Sequence, residues 1–146
     1  MRIYLAARYS RNAEMRDVRD DLVVMGHTVT SRWIDLHKGS TDYLTSEALA
    51  VLQHSFTPEF LAENPTLAFQ YARADLDDLS DADACISFTC GTGGKGGRHV
   101  EFGAAWALGK ALYIVGPREN VFHTLPTVRQ WPDWATLKPV FPRAIS

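Results

Sequence analysis

The sequence predicts a single α/β domain built on an open parallel β-sheet with helices on both faces. Three observations carry that expectation. Strand-like and helix-like segments alternate along the chain, the order that parallel βαβ units require. The strand candidates are short continuous apolar runs, as in strands covered on both faces. Loops rich in glycine and polar residues follow those strands, where an open sheet keeps its ligand crevice. At 146 residues the chain can bury one core without disulfide or metal staples, so one domain over 1–146 is expected.

Ile3 to Ala7 form the first apolar run. From Asn12 to Met25 the apolar positions Met15, Val18, Leu22 and Met25 recur at helical spacing, and Gly26 is placed to end that helix in a left-handed turn. His27 to Ile34, with β-branched residues and alternation, reads as the second strand. Over 35–65, Gly39, Ser40, Thr41, Pro58 and Pro65 break the periodicity; Glu47 to Gln53 suits one helix, and the segment is expected to be a lid or insertion. A helix is predicted over Thr66–Leu79, with Phe69, Ala72, Leu76 and Leu79 as its buried stripe. Asp83–Phe88 and Ala111–Val115 read as further buried strands, with a helix between them that ends near Gly109. The stretch 126–146, with Trp131, Pro132, Trp134, Pro139 and Pro142, reads as a packed tail. The whole has the plan of a flavodoxin-like or Rossmann-like domain.

Composition narrows the function classes. With 46% apolar and 22% charged residues the chain is neither disordered nor fibrous. A net charge of −2 without a Lys/Arg cluster speaks against duplex nucleic acid as a partner. No run of about 18 apolar residues is present, so no membrane span is expected. The N-terminal apolar run is too short for a secretory signal, which points to a cytoplasmic protein with Cys85 and Cys90 as free thiols. The five histidines lack ligand spacing, so neither a metal site nor a cofactor is expected.

The loop Cys90-Gly91-Thr92-Gly93-Gly94-Lys95-Gly96-Gly97-Arg98 is the most informative motif. Glycines expose backbone N–H groups, and the helix that follows adds partial positive charge, so the loop suits an anion; Lys95 and Arg98 reinforce it. It is not a P-loop, because Gly96 stands where Ser or Thr is needed, and it lacks the placement of a dinucleotide fingerprint. A flexible loop with no ligand stays open as an alternative. Glu101 falls near the start of the following helix, where the dipole favours an ionised carboxylate, the form a glycosyl nucleophile needs. On the residues alone a helix-start Glu that merely complements the dipole is the simpler reading. A solvated acidic face does the same for Asp75, and a core aromatic for Tyr4.

In order and spacing, Ile3-Tyr4-Leu5-Ala6-Ala7, the run Ala74-Asp75-Leu76-Asp77-Asp78-Leu79-Ser80-Asp81-Ala82-Asp83, Gly97-Arg98-His99-Val100-Glu101-Phe102-Gly103 and Asn120-Val121-Phe122 resemble the nucleoside 2-deoxyribosyltransferase family, including its nucleotide N-glycosidase branch. The resemblance spans most of residues 1 to 125. It implies an enzyme that cleaves the N-glycosidic bond of a deoxynucleoside or its 5′-monophosphate, with water or a second base as acceptor. It implies Glu101 as nucleophile at C1′, Asp75 as the group that holds or protonates the departing base, and Tyr4 as the residue that orients Glu101. Asn120 matches an asparagine that reaches the sugar of a neighbouring subunit, so the resemblance also implies a homodimer or larger assembly with a shared active site. Transferases acting on free nucleosides carry an acidic residue before the nucleophile; here the loop offers Thr92, Gly93, Gly94, Lys95 and Arg98, which suit a phosphate. Arg8 and Ser10, in the loop after the first strand, complete the expected substrate-binding set, and Trp33, Ile34, Tyr43 and Phe56 are candidates for the base. Two other readings stay open: a non-catalytic nucleotide-binding or signalling module, and a hydrolase of another N-riboside.

Overall fold

The computed structural model describes residues 1–38, 57–91 and 96–145. In chain order the elements are β1 (Arg2–Ala6), α1 (Asn12–Val24), β2 (Thr28–Val29), α2 (Pro58–Glu63), α3 (Pro65–Ser80), β3 (Ala84–Phe88), α4 (Gly97–Ala107), β4 (Ala111–Val115), β5 (Val128–Trp131) and α5 (Trp134–Leu137). Short 3-10 turns cover Tyr9–Arg11, Arg32–Lys38 and Val121–Thr124. The strands form one parallel sheet in the order β2-β1-β3-β4-β5, the doubly wound order of flavodoxin-like domains. The order reverses between β1 and β3, so the crevice of such a sheet opens at their carboxyl ends. Every residue of β3, and Ile3 to Ala6 of β1, is buried, as strands covered on both faces should be. Each large aliphatic side chain buried there contributes about 1.5–3 kcal/mol.

The second strand is shorter than the sequence predicts. β2 stops at Val29, and side chains take over the pairing of β1: Ser31 Oγ accepts from the Leu5 amide at 2.6 Å, and Trp33 Nε1 donates to the Leu5 carbonyl at 2.9 Å. Side-chain bonds of this kind compete with a ladder and let the chain turn away into the Arg32–Lys38 segment. Within 35–65, Pro58 and Pro65 start helices instead of breaking one. Each sits in a first turn, where a missing N–H costs nothing, and Thr57 Oγ1 caps α2 by accepting from the Phe60 amide at 3.1 Å. The expected helix over Glu47–Gln53 lies outside the described residues.

Helix α3 is rotated relative to the predicted stripe. Phe69 and Leu76 are 59% and 39% exposed, Ala72 is exposed too, and the inward side carries Ala74, Asp78 and Leu79 with Asp75 partly covered. The tail is also more than a tail, since it supplies edge strand β5 alongside β4 and the short helix α5, which Asp133 caps. Trp134 Nε1 donates to Asp21 of α1 at 2.8 Å, while Leu137 and Phe141 enter the core.

The loops that leave β3 and β4 are stitched together. Thr89 donates from its amide to the Val115 carbonyl at 2.9 Å and from Oγ1 to the Pro117 carbonyl at 2.6 Å. Gly116 has φ +119°, and a Cβ there would stand 2.5 Å from both Thr89 oxygens. Only glycine fits. Cys85 is buried and Cys90 exposed, both as free thiols. No helix among the described residues is long and apolar enough to cross a membrane.

Candidate active site

The three residues singled out for catalysis come together. Tyr4 rises from the middle of β1, opposite Cys85 of β3, and is fully buried. Its hydroxyl donates to Glu101 Oε1 at 2.7 Å across the seam between β1 and α4. Asp75, on α3, is near enough to both that its charge raises the proton affinity of Tyr4 and the Glu101 charge raises its own. Strand, helix and helix therefore deliver one phenol and two carboxyls to one place.

Electrostatics set the two carboxyls apart from ordinary surface acids. Burial pushes Asp75 up to about 8; the charges of Glu101 and Asp78 add to this and Arg32 works against it. Burial likewise pushes Glu101 up to about 7, against the Tyr4 hydrogen bond and the Arg98 charge. Glu101 lies in the second turn of α4, and its burial outweighs the two influences that favour the ionised form. Tyr4 is driven well above its usual value by burial and by the charges of Glu101 and Asp75, so it stays a donor. Two carboxyls whose proton affinities are both raised by burial, that of Asp75 also by neighbouring charges, are candidates for a functional site.

Asp78 joins the site although its sequence context marks it only as one of a run of acids. It is buried, accepts from the Arg32 backbone at 3.0 Å and from Arg32 Nε at 2.7 Å, and fastens α3 to the Arg32–Lys38 turn. Its three-residue spacing from Asp75 was the available signal, because it puts both on one helix face.

The expected anion cradle is partly filled by the protein itself. Glu119 Oε1 accepts from the amides of Cys90 and Gly91, at 2.9 Å each, and Oε2 binds Arg98 Nη2. Burial disfavours the charged Glu119, but Arg98 and the two amides overcome it and hold the carboxyl down to about 2. Arg98 is consequently not the open phosphate ligand that the sequence suggests; its Nε alone is buried without an acceptor. Thr92, Gly93, Gly94 and Lys95 lie outside the described residues. Arg8, half-buried after β1, has Nε and Nη2 both buried and without acceptors. Ser10 is exposed in the Tyr9–Arg11 turn.

One further expectation is corrected. Trp33 and Ile34 are core residues, buried among β1 and α1, and do not offer a base-binding face; Tyr43 and Phe56 lie outside the described residues. Within its own chain Asn120 stands apart from the trio, as a residue that serves a neighbouring subunit would. Its Nδ2 lies 3.3 Å from His99 and 3.4 Å from His123, and Oδ1 caps the Val121–Thr124 turn by accepting from Phe122 at 2.9 Å. There it lines an apolar hollow of about 580 Å³ together with Val100, Phe102, Trp106, Phe122 and Leu125, none of them a member of the trio. Among the described residues no group of three or more His, Cys, Asp or Glu side chains is placed to hold a metal ion.

No protein-family model matches the chain, and no curated protein matches it by sequence. Solved structures do match its fold. The chain is similar over its whole length to a 2-deoxyribosyltransferase from the psychrotolerant bacterium Bacillus psychrosaccharolyticus, covering 99% of that chain with a TM-score of 0.63 at 18% identity. It is also similar to the CMP N-glycosidase BcmB of Clostridium botulinum, with 96% of this chain and 95% of that one covered, a TM-score of 0.57 and 18% identity. The parallel sheet and the helices around it are thus the same architecture as in those two enzymes.

Proposed function

We propose that the protein is an enzyme that breaks the N-glycosidic bond of a nucleoside or its 5′-monophosphate through a glycosyl ester on Glu101. The observation that carries this is the Tyr4–Glu101 hydrogen bond with Asp75 beside it, Tyr4 buried and the two carboxyls partly covered. Both structural neighbours act on such substrates by name, which supports the reading.

In the first step a Glu101 oxygen bonds to C1′ as the C1′–N bond breaks, and the electron pair leaves with the base. Protonated Asp75 gives its proton to that base. In the second step water or another base attacks C1′, Asp75 takes up the proton, and Glu101 is released, so the configuration at C1′ is retained. Tyr4, donating to one Glu101 oxygen, leaves the other aimed at the sugar. The donors of Arg8 that the protein leaves unpaired suit a 5′-phosphate, a pairing worth about 1.5–3 kcal/mol for each charged hydrogen bond.

A homodimer or larger assembly belongs to the same proposal. Val100, Trp106, Val121 and Phe122 are exposed around the hollow beside Asn120, and an apolar patch of that kind suits a second copy. Incubation with a panel of deoxy- and ribonucleotides and their nucleosides, read by chromatography for free base, tests the reaction. Base released by the wild type and not by Glu101→Ala is the expected result; equal release by both would overturn it.

A further inference from the structure

We propose that Glu119 is a positioning residue, an internal anion that keeps the nucleophile-bearing turn of α4 in place. The inference rests on the functional reading above and concerns a residue outside the trio. Three observations converge on it.

First, the Glu119 carboxylate occupies a built anion seat. Two backbone amides of the loop after β3, Cys90 and Gly91, point at one oxygen, and Arg98 grips the other, with His99 Nε2 at 3.5 Å. Both partners of the Arg98–Glu119 pair are buried, with side-chain exposures of 6% and 7%. Second, the two sides of the seat belong to different elements. Glu119 follows β4, the amides follow β3, and Arg98 is the second residue of α4, so one carboxylate ties three segments together. Third, Arg98 stands one helical turn before Glu101, on the side where its charge eases ionisation of the nucleophile. If Glu119 is lost, the amides and a buried guanidinium lose their acceptor, and the first turn of α4 can shift. A misplacement of about 1 Å at a nucleophile costs on the order of 10²-fold in rate.

The test uses Glu119→Ala and Glu119→Gln in the full chain, with formate as the probe. In Glu119→Ala the seat is empty and fits a small carboxylate. Formate in the tens of millimolar should raise its Tm in a dose-dependent way and leave the wild type unchanged. On the functional reading, kcat for base release should fall about 10- to 100-fold in Glu119→Ala with KM little changed, and formate should restore part of kcat. Glu119→Gln, whose amide fills the seat without the charge, should lose kcat and gain nothing from formate. Wild-type kcat in either variant would overturn the proposal, as would formate that stabilises Glu119→Ala without restoring turnover. Should Glu119→Ala not fold, the kcat of Glu119→Gln decides. A wild type that releases no base from any substrate removes the functional reading and the kinetic claim with it. The Tm response needs no substrate and reports on the seat alone.

Discussion

The hydroxyl of Tyr4 and a carboxylate oxygen of Glu101 are 2.7 Å apart although 97 positions separate them in the chain. That bond is one of two influences that hold the Glu101 proton affinity down against burial. Tyr4→Phe should therefore raise the Glu101 pKa above about 7 and move the acid limb of the pH–rate profile upward. A hydrogen bond to a charged group is worth about 1.5–3 kcal/mol, so kcat should drop about 10- to 100-fold at pH 7. An unmoved limb in Tyr4→Phe would show that the bond does not act on the nucleophile.

The proposed reaction needs Glu101 ionised and Asp75 protonated. With Glu101 at about 7 and Asp75 at about 8, that pair of states is most populated between those values. Turnover should rise as pH climbs through the lower value and fall above the higher one, a narrow bell whose limbs belong to the coupled pair. Asp75→Asn should abolish the basic limb and slow release most for bases that depart poorly. Steady-state rates from pH 5 to pH 10 settle the point.

The burial of Glu101 also bears on stability. A carboxyl whose pKa is raised from about 4 in the unfolded chain binds its proton more tightly when folded. Its contribution is intact below the unfolded value and is lost as pH rises through about 7. Glu101→Gln cannot ionise, so it should melt a few degrees above the wild type at pH 8.5 and close to it at pH 4. Melting curves at the two pH values check this, and a lower Tm for the variant at pH 8.5 would contradict it.

On the proposed reading Arg8 should distinguish phosphorylated from free substrates. With two donors left unpaired by the protein, Arg8→Ala should raise KM for a nucleoside 5′-monophosphate about 10- to 100-fold and leave the corresponding nucleoside little affected. Equal losses on both substrates would place the phosphate elsewhere.

Most of the sheet was legible because buried parallel strands announce themselves as apolar runs, and β4 matches its predicted bounds residue for residue. The trio was legible only through short motifs taken in order, since a polar residue in a core strand or on a helix has a commonplace structural explanation. The errors have physical causes. The α3 stripe was assigned by counting apolar residues, but Asp75 and Asp78 face inward toward Glu101 and Arg32, and so Phe69 and Leu76 are left outside. Strand β5 was hidden because Val128–Trp131 is short and lies at an edge, where one-sided cover leaves a weak pattern. Glu119 was overlooked because a lone acid in a Gly-Pro turn shows no periodicity; its meaning comes from loops that meet only in three dimensions.

The close approach of Thr89 to Gly116 carries a lesson for anyone who would re-engineer this chain. The turn after β4 bears Glu119 and Asn120, and the turn after β3 bears Cys90 and Gly91; the contact leaves no room for either to be redrawn alone. Grafted sequences at this rim would have to travel as a matched cassette.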